Sequence, residues 1–255
     1  MDGQATRLRE RMRAGERLVG TFVKTPHPMI VEVLAHAPLD FICLDAEHAP
    51  FDRAAIDLCL AMARASGLAA LVRVPEAQPA AVLSVLDAGA DGLVVPHVTS
   101  AAMAEAVVRA SRYGHGGRGF AGSTRSAGFA TRPMATVLAE TPAPLILAQI
   151  EEPEGVAAAA AIAAVDGFDA LFVGPADLAV SLGETAIDAS PVRAAIASVG
   201  EAARGAGKAL VTFAPGPEMA PELAALGVTV FLLGSEHAWM LAGARAAVAG
   251  LRGPG

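Results

Sequence analysis

The stretch LILAQIEEPEGVAAAAAIAAVDGFDALFVGPADLAVSLG, Leu145 to Gly183, decides the fold. It opens on an apolar run, crosses an alanine-rich segment, returns to a second apolar run and closes on another helical one. Strand, crossover helix and second strand in that order make the parallel βαβ unit. Neither apolar run alternates with polar residues, as expected of strands covered on both faces. Both runs end on polar groups: Gln149-Ile150-Glu151 after the first and Gly174-Pro175-Ala176-Asp177 after the second.

The same alternation continues outward in both directions. Strands are expected at Leu18–Lys24, Phe41–Asp45, Ala69–Val74, Gly92–Pro96, Leu145–Glu151, Ala170–Gly174, Ala209–Phe213 and Val230–Gly234. Helical segments between them include Arg53–Ser66, Pro79–Ala88, Ser100–Arg112, Pro153–Val165, Pro191–Ala206 and Pro217–Leu226. Eight such units without a break in composition predict one closed (β/α)₈ TIM barrel, a single α/β domain over residues 1–255. An open doubly wound sheet competes, but no glycine fingerprint follows the first strand to support it. A short amphipathic helix precedes the barrel. The apolar C-terminal segment Glu236–Leu251 is expected to pack on a neighbouring subunit.

Composition narrows the class. Hydrophobic residues make up 54% of the chain, enough for a large core, yet no run reaches the roughly 18 strongly apolar residues of a membrane span. The start MDGQATRLRERMRAGERL is polar and lacks a signal-peptide core, so a cytoplasmic protein is expected. The formal charge is 19 − 26 = −7 without a basic run, which argues against a nucleic-acid partner. Cys43 and Cys59, the only cysteines, match no zinc or redox spacing and are expected in the core.

Active sites of such barrels lie at the C-terminal strand ends. Asp45, Glu47 and His48 follow the second strand and Arg73 the third. Gln149 and Glu151 end the fifth, and Gly174, Ala176 and Asp177 follow the sixth. Glu151 and Asp177 are metal candidates, since a hard divalent cation takes carboxylate oxygens. The alternatives are a helix cap for Glu151 and a local turn for Asp177. Arg73 is a candidate for stabilising developing negative charge, or else a structural partner of Asp45 or Glu47. His48 is a candidate general base, or otherwise a loop residue. The glycine- and arginine-rich connection Tyr113–Pro133 is long for a loop, and Arg118 and Arg125 in it suit a carboxylate. Schiff-base chemistry is disfavoured. Of the two lysines, Lys208 precedes a strand and only Lys24 follows one.

Motifs in matching order carry a family resemblance: DFICLDAEHAPFD (Asp40–Asp52), LVRVP (Leu71–Pro75), VLDAGADGLVVPHV (Val85–Val98), RGFAGSTRSAG (Arg118–Gly128), LAQIEEPEG (Leu147–Gly155) and FVGPADLAVSLG (Phe172–Gly183). From Gly20 to about Arg245 the chain resembles the HpcH/HpaI family of metal-dependent pyruvate aldolases. The resemblance implies cleavage or formation of 4-hydroxy-2-oxo acids, giving pyruvate and an aldehyde through an enolate. It implies Mg²⁺, Mn²⁺ or Co²⁺ at Glu151 and Asp177, with Asp87 as the acceptor that orients His48. Gln149 is then expected to orient pyruvate, and the Ala176 and Asp177 amides after Gly174 to seat its carboxylate. Asp45 and Glu47 are expected to hold a water, to position His48 or to border a subunit contact. Relatives of this kind exchange the last helix and assemble as hexamers, trimers of dimers, in which the arginine loop completes a neighbour's site. His97 departs from the pattern, standing where many relatives carry Met or another apolar residue. A citramalyl- or malyl-CoA-type lyase and a non-catalytic oxo-acid-binding barrel are the competing functions. No basic cluster suits a nucleotide tail, and the aldehyde partner is not readable.

Overall fold

In the computed structural model, which describes residues 3–252, every expected apolar run forms a strand. These are β1 (Leu18–Val23), β2 (Phe41–Asp45), β3 (Ala69–Arg73), β4 (Gly92–Val95), β5 (Leu145–Ile150), β6 (Ala170–Val173), β7 (Ala209–Ala214) and β8 (Val230–Ser235). They pair in parallel and in chain order, and β8 returns to β1, so the sheet closes into a barrel. Around it run α1 (Gln4–Arg13), α2 (Pro28–Leu34), α3 (Arg53–Ala65), α4 (Pro79–Asp87), α5 (Ala101–Ser111) and α6 (Met134–Glu140). They are followed by α7 (Pro153–Ala157), α8 (Ala159–Ala163), α9 (Pro175–Ser181), α10 (Ser190–Gly205), α11 (Ala220–Ala225) and α12 (Glu236–Arg252).

The pleat sorts the apolar strand residues into two clusters. Phe41, Cys43, Leu71, Leu147, Phe172 and Val211 belong to the cluster that fills the barrel. Ile42, Leu44, Val72, Leu93, Val95 and Val173 alternate with the inward positions and pack against the helices. Gly20 makes the first arrangement possible, since a Cβ there would lie 2.5 Å from the Phe41 ring. Ala5, Leu8 and Met12 of α1 join the barrel cluster, so that helix closes the N-terminal mouth. It is pinned there by Arg9–Asp169 at 2.7 Å and Arg11–Asp40 at 2.6 Å. With that mouth covered, the opposite end is left for chemistry.

Strand limits agree with the sequence reading to within a residue. The expected helix Pro153–Val165 is instead two short helices meeting at Ala158, whose φ of −90° and ψ of 0° leave the helical range. Tyr113–Pro133 holds no helix or strand apart from an isolated bridge between Tyr113 and Arg118, and α6 after it was not anticipated. Both cysteines are buried, and burial pushes the Cys59 thiol up to about 11 and Cys43 higher still. Helix α12 lies largely outside the core: from His237 to Arg252 only Trp239 is not exposed, and Met240, Leu241, Val248 and Leu251 face solvent. No helix among the described residues is long and apolar enough to cross a membrane.

Candidate active site

Parallel register brings the rim residues together. Asp45 and Arg73 are paired positions at the ends of β2 and β3. The guanidinium grips the carboxylate with both arms, Nε to Oδ1 at 3.0 Å and Nη2 to Oδ2 at 2.8 Å. Lys24, one residue past β1, places Nζ 2.9 Å from the same Oδ2, and the His48 amide donates to Oδ1 at 3.1 Å. Burial alone would raise the Asp45 carboxyl. The bonds and charge of Arg73, then Lys24 and the His48 amide, outweigh it and hold the group at about 2. Two cations thus share one buried anion, and Glu47 is a second acid beside them. The Arg73 Nη1 lies 3.2 Å from Glu47 Oε2, and its Cζ sits 4.5 Å over the Phe22 ring. The structural role considered for Arg73 is therefore real, and it accompanies a position on the cavity wall.

A second group forms at the ends of β4 and β5. Glu151 is almost wholly buried; its Oε1 accepts from the His97 amide at 2.8 Å, and the Gln149 side-chain amide donates to its Oε2. Gly174 permits this, because a Cβ there would lie 2.8 Å from Glu151 Oε2 and 3.1 Å from Gln149 Nε2. The residue before α7 makes no side-chain cap, and Glu151 is committed to His97 and Gln149 instead of a helix end. His97 has a φ of 56°, in the left-handed region that few residues other than glycine occupy. Its Nδ1 lies 3.2 Å from Glu151 Oε1 and 3.0 Å from Glu152 Oε1, and its Nε2 lies 3.4 Å from Glu47 Oε1. Burial raises the Glu47 carboxyl; the nearby Arg73 opposes the rise and Glu151 adds to it.

Between the two groups is a cavity of about 190 Å³. Phe22, Phe172 and Phe213 give it an apolar wall, while Lys24, His48, Arg73, Gln149, Gly174, Ala176 and Asp177 supply polar ones. Asp177 stands in the first turn of α9, half-buried, with no hydrogen-bond or ion-pair partner for its carboxylate among the described residues. The Gly174 amide is taken by the Ile150 carbonyl, so the amides that open α9 begin at Ala176. A larger open groove of about 480 Å³ lies outside the barrel by Arg109, Arg112 and Asp166, and it gathers no comparable acid–base set.

Three expected site residues are not brought here by their own chain. Asp87 ends α4, at the side of the barrel where β4 begins, and is held by Arg118 through Nε at 3.2 Å. Arg118 also donates to Ser126 Oγ at 2.9 Å and stacks 4.6 Å over Tyr113. Arg125 is paired with Asp57 at 2.8 Å. Among the described residues the His48 ring has Glu47, at 3.7 Å, as its charged neighbour, so the expected orientation by Asp87 does not occur within one chain. Both arginines spend their charge on structural pairs in place of the own-chain substrate role expected of them. Conversely, His97 and Lys24 belong to the site more fully than the sequence reading allowed. Both follow strand ends, the positional rule that found the others.

The donors fit a divalent cation, but the group that forms is not the Glu151–Asp177 pair that the resemblance implies, and Asp177 stands outside it. Glu47, His97 and Glu151 offer ligand atoms within 4.8 Å of one another. Glu47 Oε2 and Gln149 Oε1 are buried without a hydrogen-bond partner, a costly state unless another group satisfies them.

Comparison with known proteins agrees in extent and fold. The model of the HpcH/HpaI aldolase/citrate lyase family matches residues 18–242. A hydroxypyruvate/pyruvate aldolase of Pseudomonas aeruginosa is 34% identical over 244 residues, 94% of this chain and 91% of that protein. A 4-hydroxy-2-oxovalerate aldolase of Novosphingobium aromaticivorans is 39% identical over 183 residues, covering 70% and 69% respectively. The crystal structure of a family protein from Burkholderia cenocepacia J2315 superposes with a TM-score of 0.92 at 34% identity, covering 97% of this chain and 99% of that one.

Proposed function

The chain belongs to the HpcH/HpaI aldolase/citrate lyase family, and from that premise we propose that it is a divalent-metal-dependent aldolase that splits or forms 4-hydroxy-2-oxo acids at pyruvate. The observation that carries this reading is the convergence of Arg73, Gln149 and Asp177 on one small cavity beside His48, with Glu151 bonded to Gln149 behind its wall. Glu151 and Asp177 are the carboxylates that would hold Mg²⁺, Mn²⁺ or Co²⁺. Such an ion, when bound, supplies Lewis-acid polarisation of the keto group of an oxo acid.

The chain's own residues do the rest. Arg73 is held by Asp45 beside the cavity, so a cation is already in place where negative charge grows on the keto oxygen. Lys24 adds positive charge, and the amides opening α9 add donors for the carboxylate. Gln149, fixed through Glu151, orients the oxo acid. His48 takes the proton from the 4-hydroxyl as the C3–C4 bond breaks. C4 leaves as an aldehyde, the bonding pair stays on the pyruvate fragment as its enolate, and a proton returns to C3. Run in reverse, the same base removes a methyl proton from pyruvate.

That half-reaction gives a test without knowledge of the aldehyde. Pyruvate incubated with the protein in D₂O is expected to lose its methyl proton signal when Mg²⁺ is present and to keep it when a chelator is added. Binding of an oxo acid without exchange under any divalent metal would leave a binding barrel and end the aldolase reading.

The protein is proposed to work in the cytoplasm as a homo-oligomer, a hexamer built as a trimer of dimers. The exposed apolar residues of α12 support this, because a monomer leaves them in water. So does His48, whose ring has Glu47 at 3.7 Å but no acid at hydrogen-bond distance among the described residues, and would gain one if Asp87 and the arginine loop of a neighbour bordered its site. Sedimentation is expected to give a mass several times that of one chain, reduced by Leu241→Glu in α12. A monomer at micromolar concentration would overturn the assembly.

A further inference from the structure

We propose that His97 is a metal ligand, adding an imidazole nitrogen to the carboxylates around Glu151 and turning the cation preference of this enzyme away from Mg²⁺. This rests on the metal-dependent reading above and goes beyond its carboxylate pair. Three observations meet at this residue.

The first is placement. Both ring nitrogens of His97 face carboxylate oxygens, Nδ1 those of Glu152 at 3.0 Å and Glu151 at 3.2 Å and Nε2 that of Glu47 at 3.4 Å. One ligand atom from each of Glu47, His97 and Glu151 lies within 4.8 Å of the others. A nitrogen and two carboxylate oxygens so close together form a face that a single cation can share. The second is backbone conformation. The left-handed φ of 56° at His97 turns the chain just past β4, and such conformations in non-glycine residues recur at functional sites. In this turn one residue serves the cluster twice, its amide fixing Glu151 at 2.8 Å while its ring closes the far side. The third is unmet demand. Glu47 is nine-tenths buried, and its Oε2 has no hydrogen-bond partner. Arg73 Nη1 is the nearest cation at 3.2 Å, but that guanidinium already gives its other arms to Asp45. Gln149 Oε1, fully buried beside Glu151, is likewise without a donor. Two buried carboxylates meeting at one imidazole thus have less positive charge than they need.

The chemistry of such a set differs from an all-oxygen one. Mg²⁺ binds oxygen and is a poor partner for imidazole, whereas affinity for a nitrogen-containing site rises from Mn²⁺ through Co²⁺ to Ni²⁺. A ligand set with His97 is therefore expected to favour Co²⁺ and Mn²⁺ over Mg²⁺ by binding, whichever ion supports turnover.

The test uses the metal alone. Mn²⁺ is titrated into the metal-free full-length protein, and bound Mn²⁺ is examined by pulsed electron paramagnetic resonance for coupling to nitrogen. The wild type is expected to show a nitrogen coupling that changes from ¹⁴N to ¹⁵N when histidine alone is labelled. His97→Asn, chosen because asparagine tolerates a positive φ, is expected to lose that coupling. Its Mn²⁺ affinity is expected to fall ~10- to 100-fold, with a smaller loss for Mg²⁺. Circular dichroism of the variant establishes that it folds, as the exposed ring should allow. Should the wild type bind Mn²⁺ without histidine coupling and still exchange pyruvate protons, the role of His97 falls and the aldolase reading stands. Coupling that persists in His97→Asn has the same meaning. Failure of the wild type to bind any divalent ion removes both.

Discussion

Arg73→Met is expected to abolish most pyruvate proton exchange and to destabilise the fold at the same time. The two losses have one origin and can be separated. Arg73 stabilises charge at the cavity, so its removal should cost exchange by ~10²- to 10³-fold, the usual size for a lost donor to a developing oxyanion. It also leaves Asp45 fully buried with Lys24 as its one close cation. Breaking one side of a buried ion pair costs about 3–5 kcal/mol, which urea denaturation would read directly. The double variant Arg73→Met/Asp45→Asn removes the stranded charge. It is expected to recover much of the stability and none of the exchange. A single variant as stable as the wild type would show that the fork from Arg73 to Asp45 is not holding the rim. The pH profile offers a second check on the same pair. Asp45 sits at about 2 in the fold against an ordinary value of 3.8. A folded value below the unfolded one gives stability that is complete above about pH 4 and lost as pH falls through about 2. The gap corresponds to about 2 kcal/mol, and Asp45→Asn should flatten that part of the acid limb.

Glu151→Gln is expected to be the most damaging change for chemistry and among the mildest for folding. Glutamine keeps the size of the side chain and an oxygen to accept from the His97 amide. What disappears is the negative charge at the centre of the cation site, so divalent metal binding should fall with exchange, the latter by ~10³-fold or more. Stability should change little, because the variant removes a buried charge along with one hydrogen bond from Gln149. Glu152→Gln is the control. Glu152 is half-buried with its Oε1 3.0 Å from His97 Nδ1, and glutamine keeps an oxygen there, so exchange should stay within a few fold. Exchange surviving in Glu151→Gln at full rate would show that the cation, and the chemistry with it, lies elsewhere on the rim.

The barrel was readable because each strand is buried on both faces, leaving eight apolar runs that no surface element would carry. The rim was readable by position: Asp45, Arg73, Gln149 and Glu151 all end a strand, and register alone makes neighbours of the first two. Pairings made by distant segments were not readable. Asp87 and Arg118 satisfy each other across 31 positions of sequence, and residue type does not say whether an acid and a base meet in one chain or between two. His97 departs from the family pattern in sequence, but its place beside Glu151 depends on a left-handed turn that residue type does not signal. The break at Ala158 escaped for the opposite reason: alanine favours helix on both sides of it, so no local signal marks the interruption.

Neither apolar cluster contains Lys24, Glu47, His48, His97 or Asp177. The two roles meet at Phe22 and Phe172, which fill the barrel and also wall the cavity. A change at His48 or Asp177 therefore alters reactant contacts alone, whereas a change at either phenylalanine also disturbs the filling of the barrel.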